Sequence, residues 1–377
     1  MEQRILEANG QYGILDSWFT ENRVHCAMLV CGRSIQRQKI NAYLEELPAR
    51  LGVKIVRFMD FQPNPLYENV LDGVKRFRGE NCDAIIAVGG GSAMDVAKCI
   101  KLYTTLPGNG ENGSWLKSDI TPNNIPFLAM PTTSGTGSEA TRFAVVYYDG
   151  AKQSVSDYSC IPGTVLLDAG VLKTLPEYQK KATMMDALCH AIESFWSVNS
   201  TDESREYSRE AICGIMKHME AYLANDDAGN AGMMIAANTA GKAINITQTT
   251  AGHAMCYKIT SLFGCAHGHA AALCNRILYR WMTENTDKCS DPRGEAYLRQ
   301  ILEEIAHAMG VETAGQGAEK LNEIFLRLGL EIPAATEAQF EILKKSVNPV
   351  RLKNHPIMLD EGTINSLYHH ILNGEDR

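Results

Sequence analysis

Short apolar runs recur along the first half of the chain, separated by amphipathic stretches. Cys26–Cys31 (CAMLVC), Val53–Phe58 (VKIVRF), Ala84–Val88 (AIIAV), Phe127–Met130 (FLAM) and Ala144–Tyr148 (AVVYY) have the length and composition of strands. Helical spacing lies between them, as in Tyr67–Arg78. Such alternation predicts a parallel α/β sheet covered by helices on both faces. From about Tyr178 the texture changes: Ala182–Trp196, Ser204–Ala224 and Leu298–Met309 are Ala/Leu/Ile/Met-rich with helical spacing and little strand signal. The shift falls near Leu175–Pro176. It predicts an α/β domain over residues 1–177 and an all-helical domain over 178–377, with no internal repeat or low-complexity tract.

Length agrees with that division, since 377 residues suit two domains, possibly three. With 45% apolar and 21% charged residues the chain can bury sizeable cores. A net charge of −8 argues against a nucleic-acid binder, which needs a basic face. No apolar run reaches the roughly 18 residues that span a bilayer. The opening MEQRILEANGQYGILDSW lacks a basic-then-apolar secretory pattern, so the expected compartment is the cytoplasm. The 11 cysteines include no CxxC pair, and most sit in apolar runs as packing residues of a reducing environment.

Two glycine-rich turns carry the first chemical signal. The strand Ala84–Val88 runs into Gly89-Gly90-Gly91-Ser92, and a helical stretch Ala93–Lys101 follows. Backbone amides there can approach a phosphate, aided by the positive end of the helix. The same residues would also serve a tight strand–helix turn, and the pattern is not GxGxxG. The next strand is followed by Pro131-Thr132-Thr133-Ser134-Gly135-Thr136-Gly137-Ser138-Glu139, hydroxyls and glycines suited to ribose, phosphate or amide contacts or to an ordinary polar loop. Two such turns after consecutive strands point to a nucleotide at the carboxyl edge of the sheet.

The helical half carries the second signal. In MDALCHAIESFW, Asp186 and His190 are spaced i, i+4 and share one helix face. His253 (TAGHAM) and His267 (CAHGH) follow. Three imidazoles and a carboxylate suit Fe²⁺ or Zn²⁺, while each histidine taken singly reads as an ordinary core or surface residue, so it is the set of four that points to a metal. Asp186 and His190 in an otherwise apolar helix need a reason to be buried. His269, His25, His218 and the His369–His370 pair are expected at the surface or in an outer shell.

Together these blocks resemble the iron-containing (group III) alcohol dehydrogenase family. The likeness covers nearly the whole chain: Pro63-Asn64-Pro65, GGGSAMDVAK (89–98), PTTSGTGSEAT (131–141), MDALCHAIE (185–193), Gly252-His253-Ala254 and His267-Gly268. It implies the dehydroquinate synthase-like architecture, a Rossmann-like dinucleotide-binding domain and an all-helical metal domain facing each other across a cleft. It further implies metal ligands Asp186, His190, His253 and His267, with Fe²⁺ or Zn²⁺ bound. NAD(H) or NADP(H) would be held at Gly89, Gly90, Gly91 and Ser92 with Asp95 nearby, along Thr132, Thr133 and Thr136, and by Lys152 at a ribose. The implied reaction is hydride transfer between the nicotinamide and a small aldehyde or alcohol; a homodimer is expected as the commonest assembly of soluble enzymes.

Three features depart from the family pattern. Where many members carry a second histidine four residues after the third ligand, this chain has Tyr257, whose ordinary pKa near 10 makes it a doubtful proton relay. After the first strand stand Gly32 and Arg33 instead of an acidic residue, which would tolerate the 2′-phosphate of NADPH. Arg142, Lys258, Arg351 and Asn354 could serve an anionic substrate group or lie solvated at the surface. With HAMCYKITSLFG and HGHAAALC they resemble the phosphonoacetaldehyde reductase-like subgroup, with sulfoacetaldehyde as the next candidate substrate. A general short-chain alcohol dehydrogenase, a dehydroquinate synthase-like lyase and a non-catalytic assembly protein are the competing readings.

Overall fold

The structure, a computed structural model, describes residues 3–373. The chain divides into two compact units. One comprises Met1–Thr133 and Ser138–Thr174; the other comprises Ser134–Gly137 and Leu175–Arg377.

The first unit is built on strands β1 (Arg4–Glu7), β2 (Cys26–Cys31), β3 (Lys54–Phe58), β4 (Ala84–Gly89), β5 (Phe127–Pro131), β6 (Phe143–Tyr148), β7 (Ala151–Ser156) and β8 (Thr164–Leu167). Its helices are α1 (Leu15–Glu21), α2 (Lys39–Leu51), α3 (Tyr67–Gly79) and α4 (Gly91–Tyr103). Six strands form one sheet in the order β1-β8-β5-β4-β2-β3, and every pairing is parallel. Parallel strands buried on both faces should be apolar at every position, and CAMLVC and AIIAVG are buried throughout.

From β2 the chain turns to β3 on one side and to β4 on the other, so the order reverses at the β2–β4 pair. Cys31 pairs with Val88 there, which brings Gly32 and Arg33 to the same edge as Gly89. The crevice outside the carboxyl ends of strands at such a reversal is where open α/β sheets bind ligands. The expected strand Ala144–Tyr148 exists as β6 but stands outside this sheet: it pairs antiparallel with β7, Phe143 opposite Ser156. Alternating burial along β6, against continuous burial along β2 and β4, marks a strand covered on one face. The edge strand β1 and the four-residue β8 were not anticipated.

The second unit is helical. Its elements are α5 (Glu177–Trp196), α6 (Asp202–Leu223), α7 (Asp227–Thr247), α8 (Ala251–Phe263), α9 (His267–Glu284), α10 (Glu295–Ala308), α11 (Ala314–Arg327), α12 (Glu337–Ser346), α13 (Pro349–Leu352) and α14 (Glu361–Asn373). Side-chain caps at Thr201, Asp226, Thr313 and Thr336 start α6, α7, α11 and α12 by accepting from backbone N–H groups one to three residues into each helix. Helix α5 is the centre of the unit. Met184 to Trp196 are all buried, the pattern of a helix surrounded on every side.

The short stretch Ser134–Gly137 is seated on α5 and α7. A Cβ on Gly135 would stand 2.7 Å from Thr183 Cβ, and one on Gly137 would stand 2.5 Å from Gly241 Cα. Conversely, a methyl group at Gly241 would meet the Gly137 carbonyl oxygen at 2.5 Å. Backbone cannot yield as a flexible side chain does, so Gly241→Ala is expected to cost about 1–3 kcal/mol. A fall in the urea unfolding midpoint at unchanged slope checks this; an unshifted midpoint contradicts the seating.

Candidate functional site

Asp186, His190 and Glu193 follow one another at helical spacing on α5 and are buried, none more than 5% exposed. Bare charges cannot remain in such a place without partners. The partners arrive from the first turn of α8 and from α9. Glu193 accepts from the Thr250 backbone N–H at 2.5 Å, from Thr250 Oγ1 at 2.8 Å and from Asn275 Nδ2 at 2.8 Å. It also accepts from His253 Nδ1 at 2.6 Å. Trp196 Nε1 donates to Thr250 Oγ1 at 2.9 Å and fixes that hydroxyl. Burial alone would raise the Glu193 carboxyl, but the His253 charge and these donors outweigh it and pull the group down to about 2.

With Nδ1–H donating to Glu193, Nε2 is the ring atom left to offer a lone pair once its proton is displaced. That atom stands 3.5 Å from Asp186 Oδ1. Burial by itself would lower His253, yet Glu193 and Asp186 raise it to about 9. Asp186 is held below the usual carboxylate range: burial opposes this, and the surrounding His190, His253 and His267 more than offset it.

Two glycines let the helices come this close. A Cβ on Gly252 would stand 2.5 Å from Glu193 Oε1 and 2.3 Å from Asn275 Nδ2. One on Gly268 would stand 2.1 Å from the Ala182 carbonyl oxygen and 2.6 Å from Asp186 Cβ. Either side chain would push its neighbouring histidine away from Asp186. The start of α9 is further held by Tyr178, whose hydroxyl accepts from Ala266 N at 2.8 Å and contacts His269 Nδ1 at 3.0 Å. His269 Nε2 donates to the Glu331 carbonyl at 2.7 Å, so Nδ1 is the acceptor for the Tyr178 proton. His269 is 4% exposed and belongs to this support, not to the surface.

Ligand atoms of Asp186, His253 and His267 gather within 4.8 Å of one another. His190, the fourth expected ligand, stands outside that set; its ring stacks on His253 with centroids 4.5 Å apart and planes 12° apart. Among the described residues Asp186 Oδ1, His190 Nδ1 and His253 Nε2 are buried without a hydrogen-bond partner. Of these, Asp186 Oδ1 and His253 Nε2 lie 3.5 Å apart in an apolar interior, which a divalent cation resolves, and a carboxylate with imidazoles suits iron or zinc. The residues fit the metal.

The remaining expected residues are distributed between the units. In the helical unit Tyr257 stacks on His267, Lys258 follows it half-buried, and Arg351 donates to Thr249 Oγ1 at 3.3 Å. Asn354 Nδ2 faces Gln248 Oε1 and the Thr249 carbonyl, each at 3.4 Å. Thr136 also belongs to this unit, while Arg142 belongs to the α/β unit, where it donates to Tyr158 Oη at 3.2 Å and lies over the Phe143 ring.

The glycine turns meet in the α/β unit. Gly90 caps α4, which opens at Gly91 and Ser92, and Thr132 N donates to the Gly89 carbonyl at 3.0 Å. A Cβ on Gly90 would stand 3.4 Å from Thr133 Oγ1. Asp95 accepts from Ser138 Oγ at 3.1 Å; desolvation outweighs the charges of Lys98 and Lys152 and pushes it up to about 6. Arg33 is exposed.

Glu193 and Lys98 are the residues that motif reading passed over. Both stand inside quoted blocks, Glu193 seven residues after Asp186 on the same helix face, which was the available signal. Lys98 is fully buried and braces the second turn through Ser138 Oγ (3.0 Å), Thr141 Oγ1 (3.1 Å) and the Phe143 carbonyl (2.7 Å).

A parallel sheet with two phosphate-friendly turns at its carboxyl edge, and a buried carboxylate–imidazole cluster, suit a metal-dependent enzyme that binds a dinucleotide. Sequence comparison agrees: iron-containing alcohol dehydrogenase matches residues 3–169, and the C-terminal part of the Fe-containing alcohol dehydrogenase family matches 180–360. The chain belongs to the iron-containing alcohol dehydrogenase family, and its cofactors are NAD(P) and iron. It is 29% identical over 308 residues to phosphonoacetaldehyde reductase of Streptomyces viridochromogenes, covering 78% of this chain and 77% of the relative. It is 27% identical over 349 residues to NADPH-dependent butanol dehydrogenase of Clostridium saccharobutylicum, covering 90% and 85%. The fold matches sulfoacetaldehyde reductase from Bifidobacterium kashiwanohense in complex with NAD⁺ at a TM-score of 0.87 and 23% identity, covering 99% of this chain and 98% of that one.

A proton on His253 Nε2 competes with a metal for the same lone pair. Apparent metal affinity should therefore rise with pH up to about 9 and then level, with protons released on binding. Glu193→Gln removes the charge that raises His253. It is expected to move the levelling point down toward the ordinary imidazole value and to weaken binding about 10–100-fold. Metal titration at several pH values checks both; an unchanged levelling point contradicts the role given to Glu193.

Proposed function

We propose that this oxidoreductase reduces a small anionic aldehyde, phosphonoacetaldehyde first and sulfoacetaldehyde next, in a reducing cytoplasm. The supporting observation is the place of Arg351. Its guanidinium lies over the Tyr257 ring, 5.1 Å from the centroid, and that ring stacks on His267 at 5.4 Å. A permanent cation thus stands two ring contacts from a metal-site imidazole. A guanidinium has five N–H donors in a planar fork that suits a phosphonate or sulfonate. Asn354 adds an amide three residues further on, and Lys258 a second cation. The compartment is supported by the cysteines, since none of the eleven is in a disulfide among the described residues.

In this reading Asp186, His253 and His267, with His190 stacked beside them, hold the metal, and Glu193 fixes the His253 tautomer. Gly89, Gly90, Gly91 and Ser92 present backbone N–H groups to the pyrophosphate, Thr132, Thr133 and Thr136 follow the rest of the dinucleotide, and Lys152 takes a ribose hydroxyl. Gly32 and Arg33, at the reversal edge, admit NADPH as well as NADH. When bound, the metal supplies Lewis acidity at the carbonyl oxygen and the nicotinamide supplies the hydride. The chain's own work is to orient the aldehyde through its charged end and to hold the ligand side chains in place around the metal.

The match to a butanol dehydrogenase over 90% of the chain favours a second reading, a neutral short-chain aldehyde. Turnover followed at 340 nm on metal-loaded enzyme separates the two, with NADH and NADPH in parallel. Phosphonoacetaldehyde and sulfoacetaldehyde should exceed acetaldehyde and propanal in kcat/KM. Arg351→Ala should lower the anionic substrates about ten- to hundredfold, as for a lost charged hydrogen bond, and change propanal only about threefold or less. The same comparison with Arg142→Ala tells which cation reads the charge. Preference for propanal, or equal losses on all four substrates, removes the anionic reading. Absence of net NAD(P)H consumption would instead favour a lyase.

A further inference from the structure

The two histidines gathered on Asp186 are held by different devices. His253 rests on a buried carboxylate through a charge-assisted bond of 2.6 Å. Among the neighbours of His267 are a thiol and two rings. Cys256 Sγ stands 3.7 Å from Nδ1, a contact much weaker than a carboxylate bond. The His253 ring lies edge-on at 5.3 Å and 60°. The Tyr257 ring lies nearly parallel, centroids 5.4 Å apart and planes 15° apart.

An imidazole turns about a broad, weakly structured χ2 torsion. A ligand lone pair points usefully over only a narrow part of that range, so something must fix the ring plane. For His253 the Glu193 bond does so. For His267 the one parallel surface against it among these contacts is the Tyr257 ring. Tyr257 stands on α8 one turn after His253, and His267 opens α9, so this stack joins the two helices that carry the imidazoles. The plate is itself loaded: the Arg351 guanidinium lies over it at 5.1 Å and is tethered to Thr249 Oγ1. Thr249 precedes Thr250, the residue that fixes Glu193. Both supports therefore lead back to the same turn.

We propose that Tyr257 is a positioning residue, whose ring rather than its hydroxyl fixes the plane of the His267 imidazole and so governs how firmly the centre retains its metal. This rests on the metal reading of Asp186, His253 and His267, and is independent of which aldehyde is reduced. It replaces the proton-relay role, which needs the hydroxyl. A ring plate and a relay make opposite predictions for phenylalanine, which keeps the plane and loses the proton.

The test loads wild type, Tyr257→Phe and Tyr257→Leu with Co²⁺ and follows both release to a chelator and the visible ligand-field bands. Tyr257→Met is a second non-planar side chain, so that a folding failure of one variant leaves the other. Tyr257→Phe should release metal within about twofold of wild type and keep its bands. Tyr257→Leu and Tyr257→Met should release it about tenfold faster with shifted bands, the range of lost outer support at metal sites. Equal release from all variants overturns the proposal. So does Tyr257→Phe releasing as fast as Tyr257→Leu, which would assign the effect to the hydroxyl. Failure of wild type to bind Co²⁺ overturns the metal reading and this inference together, whereas a substrate preference for propanal touches neither.

Discussion

Much of the helical unit follows from one constraint: α5 is buried on all sides and yet carries two carboxylates and an imidazole on one face. Removing an ion from water costs several kcal/mol unless partners are supplied. The partners here come as helix beginnings. The first turn of α8 brings a backbone N–H, the Thr250 hydroxyl and the positive end of the helix to Glu193. The same turn delivers His253 to both carboxylates. The first turn of α9 brings His267 to Asp186, and Asn275 further along that helix completes Glu193. Neutralising the buried acids and assembling a metal site are one arrangement seen from two sides. The glycines beside His253 and His267 belong to it as much as the histidines do, since a methyl group at either would separate the charges.

The α/β unit solves a different problem, that of holding two polar turns at one sheet edge. All-parallel pairing puts every strand's carboxyl end on the same side, and the reversal at β2–β4 opens the crevice. Lys98 then acts from below. A fully buried ammonium needs acceptors, and it finds them on Ser138, Thr141 and Phe143, which follow the second turn. Burial drives the Lys98 pKa down, and the burial of neighbouring Asp95 raises that carboxyl to about 6 against the pull of the Lys98 charge. The glycine-rich motif thus extends into the core as a polar brace.

The sheet's central strands and long helices were legible because their patterns are strong: CAMLVC and AIIAV cannot be anything exposed, and Ala182–Trp196 is too apolar for a surface. Strand β1, RILE, was invisible because three of its four residues face solvent. Strand β6 was recognised but assigned to the wrong sheet, since period and composition do not carry pairing partners. At the site, residue types and i, i+4 spacing located Asp186 and His190 and offered His253 and His267, which the family likeness joined to them as one ligand set. What could not be read was direction. That His190 stacks on His253 outside the three-atom cluster, that Glu193 sets a tautomer, and that Tyr257 lies flat on His267 all depend on ring planes, which are decided by contacts between residues tens of positions apart.

The membership of Ser134–Gly137 in the helical unit bears on how the chain is made. This four-residue insert lies between two stretches of the α/β unit, and its seat includes Thr183 and Gly241. Gly241 is synthesised 104 residues after Gly137 (241 − 137). At about 5–20 residues per second, the loop waits some 5–20 s on the ribosome before α7 exists to receive it. Vectorial folding of the first unit can therefore complete its sheet while leaving the TSGTG loop open. Seating the loop joins a segment made early to a helix made later. A stalled or truncated chain ending before α7 would expose that loop, giving quality-control proteases a cleavage point that the finished enzyme covers.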